Sequence, residues 1–219
     1  MLYLKPTARG TGITIWGTFN ELRNLYFAIH GLCTWEYTED NKGSIARIID
    51  VFNYELRHAY QGSRKTKKIT YLDGQSLNIY GFNYTWIELL FTTSCIRRKW
   101  AHSEVSKTQQ GLFLLFEGEV ERALYQYDSR GATDIKFFIE NTCVSSDKLW
   151  HCFREITYYF VSQPTGKKKF RSIPTILKAL SEYSPVRSYI EDCIKESMEK
   201  LNCNLWEIDY PDLTGEIVW

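Results

Sequence analysis

The segment Ile96-Arg97-Arg98-Lys99-Trp100-Ala101-His102-Ser103-Glu104 sets a guanidinium ahead of an imidazole at the junction of two apolar-striped stretches. Phosphodiester cleavage uses such a pair. An imidazole can exchange a proton with a 2′-hydroxyl or a leaving oxygen, while a guanidinium stabilises charge developing on the phosphate. Arg97 and His102 are therefore the candidate catalytic residues. The competing reading is a solvated helix end, where cations interact favourably with the negative end of the helix dipole. Three basic groups recur: Arg64, Lys65, Lys67 and Lys68; Arg97, Arg98 and Lys99; and Lys167, Lys168, Lys169 with Arg171. Gathered on one face they would track a phosphate backbone, which makes Arg98, Lys99, Lys167, Lys168, Lys169 and Arg171 candidate nucleic-acid contacts. Left apart, they are separate solvated loops and helix ends, the arrangement that a net charge of +1 favours. Tyr158, Tyr159, Phe160 and Phe170 flank the third group and would either stack on bases or enter the core.

The Arg97 to His102 spacing resembles the Arg-x(4 to 6)-His motif of HEPN-type ribonucleases. That resemblance implies an all-helical dimer that cleaves RNA without a metal, with Arg97 and His102 carrying the roles above. The family commonly places Asn or Asp after the Arg, whereas Arg98 stands here. A second match, Arg23-Asn24 ahead of His30, carries the Asn but flanks a core stripe and reads as structural. The run Glu55-Leu56-Arg57-His58-Ala59-Tyr60-Gln61-Gly62 closes a helical pattern; its polar residues either line a cleft beside a hairpin or cap the helix ahead of Gly62. Met1 to Ala28, together with the Arg57 to Gly62 run, is similar to a family of bacterial proteins that open with a Pro-Thr-containing strand pair and a helix. That similarity transfers no activity and no site.

Other chemistry is disfavoured. The chain has no Gly-rich phosphate loop, Gly-x-Ser-x-Gly elbow, His-Glu-x-x-His or dinucleotide fingerprint. Its histidines, His30, His58, His102 and His151, lie far apart, and Cys33, Cys95, Cys143, Cys152, Cys193 and Cys203 occur singly without zinc spacing. No metal site and no cofactor are expected. Cys143 with Cys152, or Cys193 with Cys203, could be bridged, but the cysteines read as reduced, small buried hydrophobes.

Positioning these residues falls to a mixed set of elements. Leu2–Lys5 and Ile13–Trp16 read as paired strands across Pro6, Gly10 and Gly12, and Thr18 opens a helix with the stripe Leu22, Leu25, Tyr26, Ile29 and Leu32. After the polar stretch Thr38–Gly43, Ser44 opens a second helix with Ile45, Ile48, Ile49, Phe52 and Leu56 inward, ending near Gly62. Two alternating runs about Asp73-Gly74 predict a hairpin over Lys68–Tyr80. Beyond Tyr84 the periodicity predicts helices only. One carries Trp86 to Trp100, one carries Leu112 to Tyr127, and others span Thr133–Glu140, Ser146–Phe160, Pro174–Glu182 and Pro185–Leu201. Ser162–Arg171 reads as a mobile loop, and Leu205–Trp219 as a strand or clamp against the N-terminal sheet.

The expected fold class is α+β, with a small antiparallel sheet and helices in the N-terminal half and a helical bundle in the C-terminal half. Residues 1–219 form one domain, with a soft boundary near residues 80–83. No apolar run approaches the roughly 20 residues of a membrane helix, and the opening residues lack a secretory pattern. A cytoplasmic protein with no membrane contact is expected. Aromatic residues make up 16% of the chain, a content that suits either a Tyr-rich core or a binding surface. The functional expectation is a non-catalytic bacterial interaction protein or accessory subunit, of the kind serving an antiviral defence or toxin-type system, with a protein partner or homo-oligomer. The alternative is a metal-independent HEPN-like ribonuclease, with RNA as the partner.

Overall fold

The computed structural model describes residues 2–32, 44–70, 72–141, 148–178, 184–208, 210 and 217–219. Strands β1 (Tyr3–Pro6) and β2 (Gly12–Gly17) pair antiparallel, with Tyr3 opposite Trp16. The tight connection between them works because Gly10 takes φ +73° and the Thr7 amide donates to Gly12 O at 2.9 Å. β3 (Lys65–Thr70) and β4 (Ser76–Thr85) form the second hairpin, where the Gln75 amide donates to Asp73 Oδ1 and Gly74 takes φ +82°. β4 pairs antiparallel with β2, which gives one four-stranded sheet in the order β1-β2-β4-β3.

Helix α1 (Phe19–His30) starts at a reciprocal cap in which the Thr18 hydroxyl accepts from the Glu21 amide and the Glu21 carboxylate accepts from the Thr18 amide. The same Thr-x-x-Glu device, Thr85 with Glu88, opens α3 (Trp86–Ala101). Between them lies α2 (Ser44–Tyr60), packed against α1, α3 and β4. Its Phe52 ring sits 5.8 Å from Phe82, 5.3 Å from Tyr84 and 5.5 Å from Phe116, joining helix, sheet and C-terminal half. Full burial of such a ring stabilises the fold by about 1.5–3 kcal/mol. One contiguous apolar cluster runs from Leu2 to Ile208.

The C-terminal half is helical: α4 (Lys107–Asn141), α5 (Leu149–Ser162), α6 (Lys167–Arg171), α7 (Ile173–Lys178) and α8 (Pro185–Leu201). This is the expected α+β architecture, with a small N-terminal sheet followed by helices. The stripe ending at Tyr127 and the helix expected over Thr133–Glu140 lie on either side of Asp128, whose extended backbone (φ −159°, ψ 100°) interrupts α4. At that residue the Asp128 carboxylate receives the Arg171 guanidinium at 2.6 and 3.0 Å. The expected loop Ser162–Arg171 contains α6, whose Phe170 packs on Trp86 and Tyr127. Leu205–Glu207 is a 3-10 turn, and Thr11 Oγ1 donates to Val218 O at 2.7 Å, so the chain end meets the β1–β2 connection. Cys33, Thr38–Gly43, Cys143, residues 179–182 and much of the tail lie outside the described residues. No helix among the described residues is long and apolar enough to cross a membrane.

Candidate interaction surface

Arg97 and His102 both belong to the C-terminal end of α3. Five residues of α-helix turn through about 140° beyond a full revolution, so the two side chains leave on different sides. Arg97 is directed at α4: Nε donates to Glu117 Oε1 at 2.9 Å and a terminal nitrogen to Oε2 at 2.6 Å, with the Glu117 side chain 8% exposed. His102 ends the helix at φ −116°, ψ 12°, and its ring is exposed. Arg98 and Lys99 occupy the same last turn, half-buried.

The basic groups are not brought together. α3 begins at Trp86, which packs on Phe170 of α6, and ends at the Arg97–Lys99 group. The rise of the helix sets those two groups on the order of 15–20 Å apart. The first group lies on β3, at the outer edge of the sheet. Within α6 the cations also diverge. Lys167 and Arg171 turn to Asp128, whose carboxyl is held below its ordinary range first by the Arg171 hydrogen bond. Lys168 is exposed. Lys169 is buried, donates to Val161 O at 3.1 Å and lies 4.6 Å over the Phe160 ring, so its ammonium faces no phosphate. Burial lowers its pKa to about 8. Phe160 and Phe170 are core residues, while Tyr158 and Tyr159 are exposed.

The structure instead assembles rings and cations on α1 and α2. Tyr26 stacks on His30 at 5.4 Å, and the Arg23 guanidinium lies 5.2 Å over the Phe27 ring. Tyr60 from α2 meets Phe19 at 5.6 Å and Tyr26 at 5.8 Å, both edge to face. Further along α2, Tyr54 sits 4.2 Å from His58, with Arg57 at 5.6 Å and Arg64 at 5.9 Å from its ring. A two-pronged ion pair to Glu55, at 2.7 and 2.8 Å, fixes Arg64. Phe19, Phe27 and Tyr54 keep 44%, 51% and 50% of their surface in solvent, so about half of each ring remains for a partner. Chain geometry explains the array: Arg23/Phe27, Tyr26/His30 and Tyr54/His58 are each four residues apart, the spacing at which helical side chains meet. The sequence carries this signal in those four-residue spacings, which do not by themselves distinguish a contact surface from helix capping. After Gly62, which takes φ +80°, the chain continues into β3 with Lys65, Lys67 and Lys68 exposed.

The remaining features are structural or unassigned. His151 is buried beside Tyr210, with Nδ1 to Oη at 3.0 Å; burial and the nearby Arg47 charge lower its pKa to about 4. Burial raises the Cys152 thiol to about 11. Cys95, Cys152, Cys193 and Cys203 form no disulfide among the described residues. Among the described residues, no three His, Cys, Asp or Glu side chains are grouped to hold a metal ion. A groove of about 450 Å³ between α5, α7 and α8 is lined by Ile156, Tyr159, Ile176, Val186, Tyr189 and Ile190.

A family model described as a domain of unknown function (DUF6904) matches residues 2–219. No curated protein and no solved structure matches the chain.

Proposed function

The chain belongs to the DUF6904 family, and on that premise we propose that it is a non-catalytic interaction or accessory protein whose contact surface is formed by α1, α2 and β3. The observation carrying this reading is the half-exposed ring and guanidinium array built from Arg23/Phe27, Tyr26/His30 and Tyr54/His58. Aromatic residues and Arg dominate the energetics of protein interfaces, and rings already held by neighbours lose little freedom on binding. The ion pair between Arg97 and Glu117 supports the non-catalytic side of the reading, because it gives that guanidinium a structural task.

The test is covalent crosslinking in cells that make the protein, followed by recovery of the crosslinked partner. Phe27→Glu combined with Tyr54→Glu should lower recovery about ten-fold, as loss of central anchors does at interfaces. Tyr189→Glu, on α8, should leave recovery unchanged, and circular dichroism should show all variants folded. Equal recovery by the folded double variant contradicts the proposal.

A further inference from the structure

Strand β3 is the last strand of the sheet, and among the described residues it pairs with β4 alone. Its outer backbone edge therefore presents amide and carbonyl groups that a further strand can use. All of its residues are exposed except Ile69, which is half-buried. Three of the six are lysines, and none of Lys65, Lys67 and Lys68 forms an ion pair among the described residues. The neighbouring acids are engaged elsewhere: Glu55 holds Arg64, and Asp73 accepts the Gln75 amide inside the hairpin turn.

Lysines on an open edge have a selective effect. They repel a second copy of this chain, because edge-to-edge pairing of β3 with itself would set Lys65, Lys67 and Lys68 against the same three residues. Strands without charge would leave the ammonium groups uncompensated, whereas an acidic strand would neutralise them. Repulsion of wrong partners and attraction of the right one thus come from the same residues. Side chains alternate along a strand, so Lys65 and Lys67 project to one side of the sheet and Lys68 to the other. A matching strand carries carboxylates on the face that Lys65 and Lys67 share.

We propose that β3 takes up an extended acidic segment of a partner protein as a fifth strand, in the order β1-β2-β4-β3-partner. This deepens the interaction-protein reading and rests on it. Backbone hydrogen bonds along the edge hold the segment, and the lysines choose its charge.

Fluorescence anisotropy of the full chain with a labelled peptide of alternating Glu and Val tests the proposal. Two further peptides carry N-methyl groups on one or the other alternate set of residues, which leaves charge intact and removes the amide donors on one edge. The expected result is binding by the parent peptide, a weakening of about ten-fold or more for one methylated set only, and a similar loss with Lys65, Lys67 and Lys68 all changed to Glu. Equal binding by both methylated peptides overturns the proposal, since attraction without strand addition gives that result. Absence of parent-peptide binding also overturns it. So does tighter binding of a short single-stranded RNA through the same lysines. In each of those cases, loss of partner recovery by the Phe27/Tyr54 double variant would still uphold the interaction surface. Peptide binding alongside unchanged recovery would instead remove that surface and leave the edge site.

Discussion

Arg97 on α3 and Glu117 on α4 meet as a two-pronged ion pair, with Nε to Oε1 at 2.9 Å and a terminal guanidinium nitrogen to Oε2 at 2.6 Å. The carboxylate is almost fully covered while the guanidinium remains 40% exposed, so the pair ties two helices together at the edge of the core. Arg97→Ala leaves the covered carboxylate without its fork and should cost about 2 kcal/mol, a value discounted for the exposed half of the pair. Urea denaturation of the variant measures it. A loss close to zero would mean that the contact adds nothing to stability.

The same geometry bears on RNA. Labelled cellular RNA incubated with the purified protein in excess chelator should remain intact, and His102→Ala should behave identically. Cleavage by the wild type that disappears in the variant would establish the ribonuclease alternative and remove the non-catalytic reading.

Gly10 lies under the Tyr127 ring of α4: a Cβ added there would fall 1.7 Å from Tyr127 Oη, and the backbone takes φ +73°. Gly10→Ala therefore combines a strained conformation with a steric overlap and should destabilise by roughly 2–3 kcal/mol. A thermal scan should show a lower Tm. An unchanged Tm would contradict the close approach of the β1–β2 connection to α4.

His151 supplies a pH dependence. Its pKa falls from 6.5 to about 4 in the folded chain, because burial and the Arg47 charge disfavour the imidazolium. Between those two values the unfolded chain binds more protons at this site than the folded one. The contribution is therefore complete above pH 6.5 and is lost as pH falls towards 4, amounting to roughly 2–3 kcal/mol. Urea midpoints at pH 7 and pH 4.5 should differ strongly for the wild type and much less for His151→Gln. Parallel losses in both would assign the acid sensitivity to other groups.

Much of the fold was legible because its local signals agree with its packing. Thr18 and Thr85 each precede a Glu by three residues and cap a helix; Asp73-Gly74 turns a hairpin; Pro185 opens a helix that ends at Leu201. The pairing of β2 with β4 was not legible, since no local spacing records which hairpins join. Nor was the inward turn of Lys169. Three consecutive lysines read as one solvated group, but successive helical positions diverge by about 100° and docking of Phe170 takes its neighbour inward. The surface was half legible: the four-residue spacings stand in the sequence, while the meeting of Tyr60 with Phe19 and Tyr26 depends on α1 packing beside α2.

The most direct test of the interaction surface is a footprint of side-chain reactivity, comparing the purified chain with the chain in its native cell extract. The account predicts protection in the extract of Phe27, Tyr54, Lys65, Lys67 and Lys68, with Tyr158, Tyr159 and Tyr189 reacting equally in both. Protection confined to Tyr158, Tyr159 and Tyr189, with α1, α2 and β3 unchanged, would contradict it.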